Sequence, residues 1–102
     1  MNTSRNKRLN EITGVLQKHK AELQNKYRIK ELGVFGSYVR GEQKKRSDVD
    51  VLVEFSGLPD IFQLIDLEDY LKRLLKKKVD LVRKGAIRDE LKEIISNEVV
   101  LI

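Results

Sequence analysis

Residues 36–54 read GSYVRGEQKKRSDVDVLVE, and this stretch decides the fold of the 102-residue chain. It begins with Gly36-Ser37 directly after an apolar run and ends in an alternation of aspartates and apolar residues. Because strand side chains alternate between the two faces of a sheet, Asp48 and Asp50 share one face and the valines beside them share the other. Neighbouring carboxylates repel each other unless a proton or a cation lies between them. The alternation therefore predicts a strand that begins at a divalent-cation site, and oxygen ligands suit Mg²⁺ or Mn²⁺.

The composition predicts one domain spanning residues 1–102, with 40% apolar and 36% charged residues. The absence of cysteine excludes a disulfide framework, thiolate zinc and a cysteine nucleophile, and it suits a reducing compartment. No apolar stretch approaches the roughly 18 residues of a membrane span, and the polar, basic start lacks an apolar signal segment. The net charge of +5 comes from basic residues scattered among acids, with only six aromatics, which favours a solvated surface over a nucleic-acid platform. We expect a cytoplasmic protein with no membrane contact.

The hydrophobic pattern predicts an α/β (α+β) fold, a small mixed sheet flanked by helices in the order α-β-α-β-α-β-α-(β). The predicted helices cover residues 5–24, 38–40, 61–76 and 87–95. The predicted strands cover residues 29–35, 48–55, 79–82 and, along a sheet edge, 98–102, where a continued helix is the alternative. In the last helix, Leu91, Ile94 and Ile95 are predicted to face inward.

Local signals predict where several helices begin and end. Thr3 and Ser4 are available to cap the first helix. Ser37 is a suitable N-cap for the short helix that follows it, and Gly41 ends that helix. Asp60 is placed to cap the next helix.

A third carboxylate and a glycine turn complete the predicted site. Asp80 lies in the short apolar run VDLV, and it converges with Asp48 and Asp50 if the two strands are neighbours. Three carboxylates holding two divalent ions about 3.5–4 Å apart form the arrangement for in-line displacement at phosphorus. The Gly36-Ser37 turn brings backbone N–H groups and a hydroxyl close to a phosphate. Each of these elements has an alternative interpretation when taken singly. For Asp80 it is a surface strand residue, and for Gly36-Ser37 it is an ordinary turn.

Gly36-Ser37, ten intervening residues and Asp48-x-Asp50 resemble the signature of the DNA polymerase β-like nucleotidyltransferase superfamily. The fuller string GSYVRGEQKKRSDVDVLVEF, with a later apolar-Asp-apolar strand, is similar to the minimal nucleotidyltransferase (MNT) group. The resemblance implies that Asp48 and Asp50 bind both metal ions. It further implies that Asp80 binds the catalytic metal and helps to deprotonate the attacking hydroxyl, and that Gly36 and Ser37 hold the triphosphate of ATP.

The resemblance covers residues 29–102 and implies a partner as well. MNT proteins are similar to antitoxins that pair with HEPN ribonuclease toxins, which implies AMP transfer from ATP to a tyrosine of the toxin within a complex of the two proteins. The main alternative is a non-catalytic antitoxin that binds and masks its toxin. A small-molecule adenylyltransferase of the aminoglycoside type and a nucleic-acid binder are further alternatives.

Basic and aromatic residues flank the predicted site. Arg40 is predicted to bind the nucleotide together with the glycine-serine turn. Arg46 could attract phosphates as well, while Lys44 and Lys45 are interpreted as a solvated loop. Two interpretations of Tyr38 stay open at this point: the ring stacks on a base, or it packs on the sheet.

Overall fold

The computed structural model describes residues 7–102, so the predicted caps Thr3 and Ser4 lie outside the described residues. The helices are α1 Lys7–Lys18, α2 Lys20–Tyr27, α3 Ser37–Arg40, α4 Ile61–Leu75 and α5 Asp89–Glu98, with a 3₁₀ turn over Lys84–Ala86. The strands are β1 Ile29–Phe35, β2 Val49–Phe55, β3 Val79–Arg83 and β4 Val100–Leu101. None of the helices within residues 7–102 has the length and apolar character needed to cross a membrane.

The four strands form one mixed sheet in the order β3-β2-β1-β4. Strand β1 runs antiparallel to both β2 and β4, whereas β2 and β3 run parallel. Parallel neighbours need a crossover connection, and α4 supplies it between β2 and β3. This mixed sheet with flanking helices confirms the predicted fold class.

The main core lies on one face of the sheet. Val49, Val51 and Val53 project from β2 into this core and are 0% exposed. Leu67 and Leu71 of α4 belong to the same cluster and are also fully buried. Because alternate residues of β2 project to opposite faces, burial of the valines fixes the aspartate between them on the other, open face.

The predicted single N-terminal helix is wrong at His19, where α1 and α2 meet. The His19 backbone N–H is shared between the carbonyls of Val15 and Leu16, at 3.2 Å each. Its ring Nδ1 lies 3.0 Å from the same Val15 carbonyl oxygen. A backbone N–H shared between the carbonyls three and four residues earlier is typical of a helix terminus, and α1 ends here. The apolar stripe continues across the break, since Leu16 and Leu23 are both fully buried, so periodicity alone gave no sign of it.

Three predicted helix boundary residues lie within the described part of the chain, and two of them are confirmed. Asp60 caps α4, and its carboxylate accepts a hydrogen bond of 2.8 Å from the Gln63 backbone N–H. Gly41 ends α3 in the left-handed conformation. The predicted N-cap Ser37 is instead the first residue of α3, and Gly36 occupies the cap with φ 83°. Glycine adopts that conformation at little cost, which is why the turn falls one residue earlier.

The last helix begins and ends later than predicted, at Asp89–Glu98. Leu91 and Ile94 are 42% and 59% exposed, so their predicted inward orientation is wrong, while Ile95 is half-buried. The reason is that α5 covers the open face of the sheet only along its Ile95 side and leaves a cavity of about 420 Å³ there. The predicted edge strand is confirmed as β4, which pairs with β1.

Candidate active site

Two carboxylates lie side by side on the open face of the sheet. Strands β2 and β3 run parallel with Asp50 and Asp80 in register, so both side chains leave the sheet on the same face. Asp50 is half-buried between its neighbours, and Asp80 is exposed on the edge strand β3. Asp48 is exposed one residue before β2 begins. The condition for convergence, that the two aspartate-bearing strands are neighbours, is therefore met.

The electrostatics of Asp50 set it apart from an ordinary surface carboxylate. Its pKa is raised to about 6, chiefly by burial and in addition by the nearby carboxylates of Asp80 and Asp48. Arg40 opposes the shift, while Glu98 adds to it. A carboxylate crowded by like charges gains from binding a proton or a cation. This part of the open face therefore carries an excess of negative charge that a divalent cation would relieve.

The donor set fits a hard divalent cation, although its ligands are not gathered around one point. Among residues 7–102, no three His, Cys, Asp or Glu side chains stand close enough to hold a metal ion together. Strand register nevertheless fixes the backbones of Asp50 and Asp80 as neighbours, about 4.8 Å apart in a sheet. The side chains of Asp48 and Asp80 are exposed, so they have room to change rotamer.

The glycine turn touches this carboxylate cluster directly. Gly36 connects β1 to α3, and its φ of 83° lies in the region that favours glycine. A Cβ atom at this position would lie 2.0 Å from Oδ2 of Asp50, so a side chain here would displace that carboxylate. Ser37 follows as the half-buried first residue of α3. The structure thus places the turn that contains Gly36 and Ser37 next to Asp50.

A glutamate that the sequence analysis did not single out also contacts the turn. Oε2 of Glu98 accepts a hydrogen bond of 2.7 Å from the Gly36 N–H, and Oε1 accepts one of 2.8 Å from Nη1 of Arg40. Arg40 also donates from Nε to Glu42 at 2.8 Å, and the bonds to Glu42 and Glu98 raise its pKa. No local pattern signals Glu98, because it lies 62 positions from Gly36 and is one of several acids in α5.

The other flanking residues take no part in the cluster. Tyr38 is 3% exposed and belongs to the hydrophobic core, so it packs on the sheet and is not available to stack on a base. Lys44, Lys45 and Arg46 are exposed in the loop before β2, which agrees with the solvated loop predicted for the two lysines. Of the predicted basic groups, the structure brings only Arg40 to the glycine turn.

Comparisons with known proteins show which family this chain resembles. The protein adenylyltransferase MntA of Thermococcus cleftensis is 46% identical over 94 residues, which cover 92% of this chain and 95% of the relative. A solved structure described as a minimal nucleotidyltransferase superposes with a TM-score of 0.72 at 27% identity, over 87% of this chain and 93% of that chain.

A solved complex shares the fold at greater distance. One chain in the structure of the tri-AMPylated Shewanella oneidensis HEPN toxin with its MNT antitoxin matches with a TM-score of 0.58 and 21% identity, over 99% of this chain and 71% of that chain. Residues 16–102 match the family model described as the nucleotidyltransferase domain, and this match includes every aspartate and the turn of the candidate site. The chain belongs to the nucleotidyltransferase family, as a minimal nucleotidyltransferase.

Proposed function

We propose that this protein is an antitoxin that transfers AMP from ATP to a tyrosine hydroxyl of a HEPN ribonuclease toxin and so silences the toxin. The observation that carries the proposal is the register of Asp50 with Asp80, with the backbone of Gly36 packed against the Asp50 carboxylate. The relative named protein adenylyltransferase MntA and the AMPylated toxin bound to an MNT antitoxin support this choice of acceptor.

The glycine turn and its arginine hold the triphosphate in this proposal. The Gly36 N–H and the Arg40 guanidinium already bind a carboxylate, so both are oriented as donors toward an anion. The Ser37 hydroxyl lies at the next position and adds a third donor for a phosphate oxygen. Catalysis then rests on orientation and charge neutralisation, which need few protein groups.

Asp48, Asp50 and Asp80 would hold the metal ions, two Mg²⁺ with Mn²⁺ as the alternative. When bound, the ions supply positive charge that neutralises the phosphate oxygens during displacement at phosphorus. The aspartates themselves contribute oxygen ligands from two adjacent strands, and the sheet holds these strands in fixed register.

The acceptor approaches from the open edge of the sheet. Asp80 is exposed on β3, which is the edge strand, so a tyrosine on the surface of another protein can reach it. The tyrosine oxygen attacks the α-phosphorus, the bond from that phosphorus to the bridging oxygen breaks, and pyrophosphate leaves. The proton of the tyrosine hydroxyl passes to the Asp80 carboxylate.

A masking antitoxin without catalysis is the second candidate, and an exposed apolar surface favours it. Leu58 and Phe62 are 95% and 79% exposed beside Ile61 and Ile65, and solvent-exposed apolar groups of this size suit contact with another protein. Masking predicts that the Asp48→Ala, Asp50→Ala double variant still protects cells from the toxin. Transfer predicts that this variant binds the toxin and fails to protect.

Intact mass spectrometry tests the proposed reaction directly. The toxin is incubated with this protein, ATP and Mg²⁺, and its mass is expected to rise by whole multiples of an AMP group. The double aspartate variant is the control and should leave the toxin mass unchanged. A toxin that stays unmodified with the wild-type protein, or is modified equally by the variant, would contradict the proposal.

The setting of the reaction also belongs to the proposal. We take the chain to act as one nucleotidyltransferase domain in the cytoplasm, in complex with its toxin. The absence of cysteine from the sequence fits a reducing compartment.

A further inference from the structure

The Glu98 carboxylate occupies the two donors that the proposed function assigns to phosphate. Its oxygens accept hydrogen bonds of 2.7 Å from the Gly36 N–H and 2.8 Å from Nη1 of Arg40. The side chain is only 14% exposed, which places it within the site. A carboxylate and a phosphate oxygen present the same chemistry to an N–H group and a guanidinium. One pair of donors cannot fully serve both ligands.

Charge adds to this competition. Glu98 brings a further negative charge beside Asp50, which already has Asp48 and Asp80 as neighbours. Arg40 is the cation that opposes these charges at Asp50. An incoming triphosphate adds several negative charges, so the arrangement with Glu98 in place becomes less favourable when nucleotide arrives. The aspartates gain from a divalent cation, whereas Glu98 has protein donors only.

We propose that Glu98 is an internal substitute for a nucleotide phosphate, held on the Gly36 N–H and Arg40 until ATP displaces it. It sets the affinity for nucleotide and keeps the turn ordered when the site is empty of ATP. This inference rests on the proposed nucleotide site. It concerns the binding step alone and does not depend on which acceptor receives AMP.

The position of Glu98 at the end of α5 allows this displacement. Glu98 is the last residue of α5, and β4 beyond it comprises only Val100–Leu101, which pair with two residues of β1. The Glu98 side chain can leave its donors by rotation about its own bonds, because its backbone lies at a helix end and not within a long ladder.

Nucleotide binding to matched variants tests the inference. Calorimetry would measure the dissociation constant of AMP-PNP with Mg²⁺ for the wild type, Glu98→Gln, Glu98→Asp and Glu93→Gln. Glu98→Gln removes the competing charge, and Glu98→Asp keeps that charge but shortens its reach. Both should bind the nucleotide about three- to tenfold more tightly, since a charge-assisted bond is replaced by a weaker one. Glu93→Gln makes the same change in net charge on an exposed residue of α5 and should bind like the wild type.

Three outcomes would overturn the inference. Wild-type or weaker affinity in both Glu98 variants, with thermal midpoints showing them folded, would mean that Glu98 supports the turn and does not compete. An equal gain in nucleotide affinity in Glu93→Gln would show that the change in net charge alone explains the effect. Absence of nucleotide binding in every protein would show that the Gly36 N–H and Arg40 do not bind a nucleotide phosphate. Failure of AMP transfer alone would contradict the proposed acceptor. It would not affect the inference that ATP displaces Glu98 from its donors.

The wild-type protein gives an independent readout that needs no variant. The side-chain carboxyl carbon of Glu98 should shift in the ¹³C spectrum on saturation with AMP-PNP and Mg²⁺, because the carboxylate loses both donors. The same carbon of Glu93 should not move. A Glu98 signal that stays in place at saturation would overturn the inference even if a variant failed to fold.

Discussion

The two faces of strand β2 differ in what their side chains do. Val49, Val51 and Val53 point into the core and are fully buried, whereas Asp50 points to the open face, where its pKa is raised to about 6. Apolar burial on one face fixes the register, and that register sets Asp50 beside Asp80 on the other face. Residues that stabilise the fold and residues assigned to the chemistry therefore alternate along β2. Substitutions at adjacent positions should therefore give opposite phenotypes, with activity lost on one face and stability lost on the other.

Gly36→Ala should strongly reduce activity on the open face. The new Cβ would lie 2.0 Å from Oδ2 of Asp50, and the φ of 83° strains any residue other than glycine. Displacing a reacting group by about 1 Å costs on the order of 10²-fold in rate, so AMP transfer should fall by at least that factor. Single-turnover transfer to the toxin measures it.

Gly57→Ala is the matched control, because a Cβ there meets nothing within 4 Å. It should transfer AMP at the wild-type rate. A Gly36→Ala variant with wild-type transfer would show that the close approach of the turn to Asp50 is not required.

Val51→Ala should give the largest effect on the core face. Its side chain is 0% exposed, so its removal loses burial and leaves a cavity, which costs about 2–3 kcal/mol in the free energy of unfolding. Urea denaturation measures the loss. Leu58→Ala, at a residue 95% exposed, should change the unfolding free energy by less than about 0.5 kcal/mol. Equal losses in the two variants would contradict the assignment of faces.

Asp50→Asn should change how the free energy of unfolding depends on pH, because the Asp50 carboxylate is half-buried among like charges. The folded protein raises the pKa of Asp50 from 3.8 to about 6, so folding favours the neutral acid. The wild type has this stabilisation below pH 4 and loses it as the pH rises through 6. Asparagine cannot ionise, and Asp50→Asn should therefore gain stability relative to the wild type between pH 4 and 7.

Urea denaturation in the presence of EDTA measures that relative gain. Adding Mg²⁺ should stabilise the wild type more than the variant, since the metal binds the ionised carboxylates. A stability difference that stays constant across this pH range would show that the Asp50 carboxylate is not destabilised by its neighbours.

Asp60→Ala should give a smaller loss of stability than Val51→Ala, because Asp60 touches neither face of β2. The Asp60 carboxylate accepts the Gln63 N–H at the start of α4, and loss of such a cap costs about 1 kcal/mol. Thermal unfolding measures this cost, and AMP transfer should remain at the wild-type rate where the variant is folded. A large loss of transfer would mean that α4 acts on the site beyond its role as a crossover.

The sequence predicts the site wherever the information is local. The alternation at residues 48–53 gives β2 and its charged face, and Gly36-Ser37 gives the turn. Nothing local pairs position 98 with position 36, since that contact depends on the length of α5 and on where β4 joins the sheet. The break at His19 is also hidden, because the apolar stripe continues across the residue whose backbone N–H is shared between two carbonyls.

The most direct test of the central claim compares two acids on the open face of β2. Asp50 and Glu54 leave the strand on the same side, but Glu54 lies at the far end, in register with Glu31 of β1. AMP transfer to the toxin is measured in single turnovers for Asp50→Asn and Glu54→Gln. Asp50→Asn should lose about 10²–10³-fold or more, as expected when one preorganised electrostatic group is removed, and Glu54→Gln should match the wild type. Equal rates for the two variants would contradict the assignment of nucleotidyl transfer to the Asp50 end of this face.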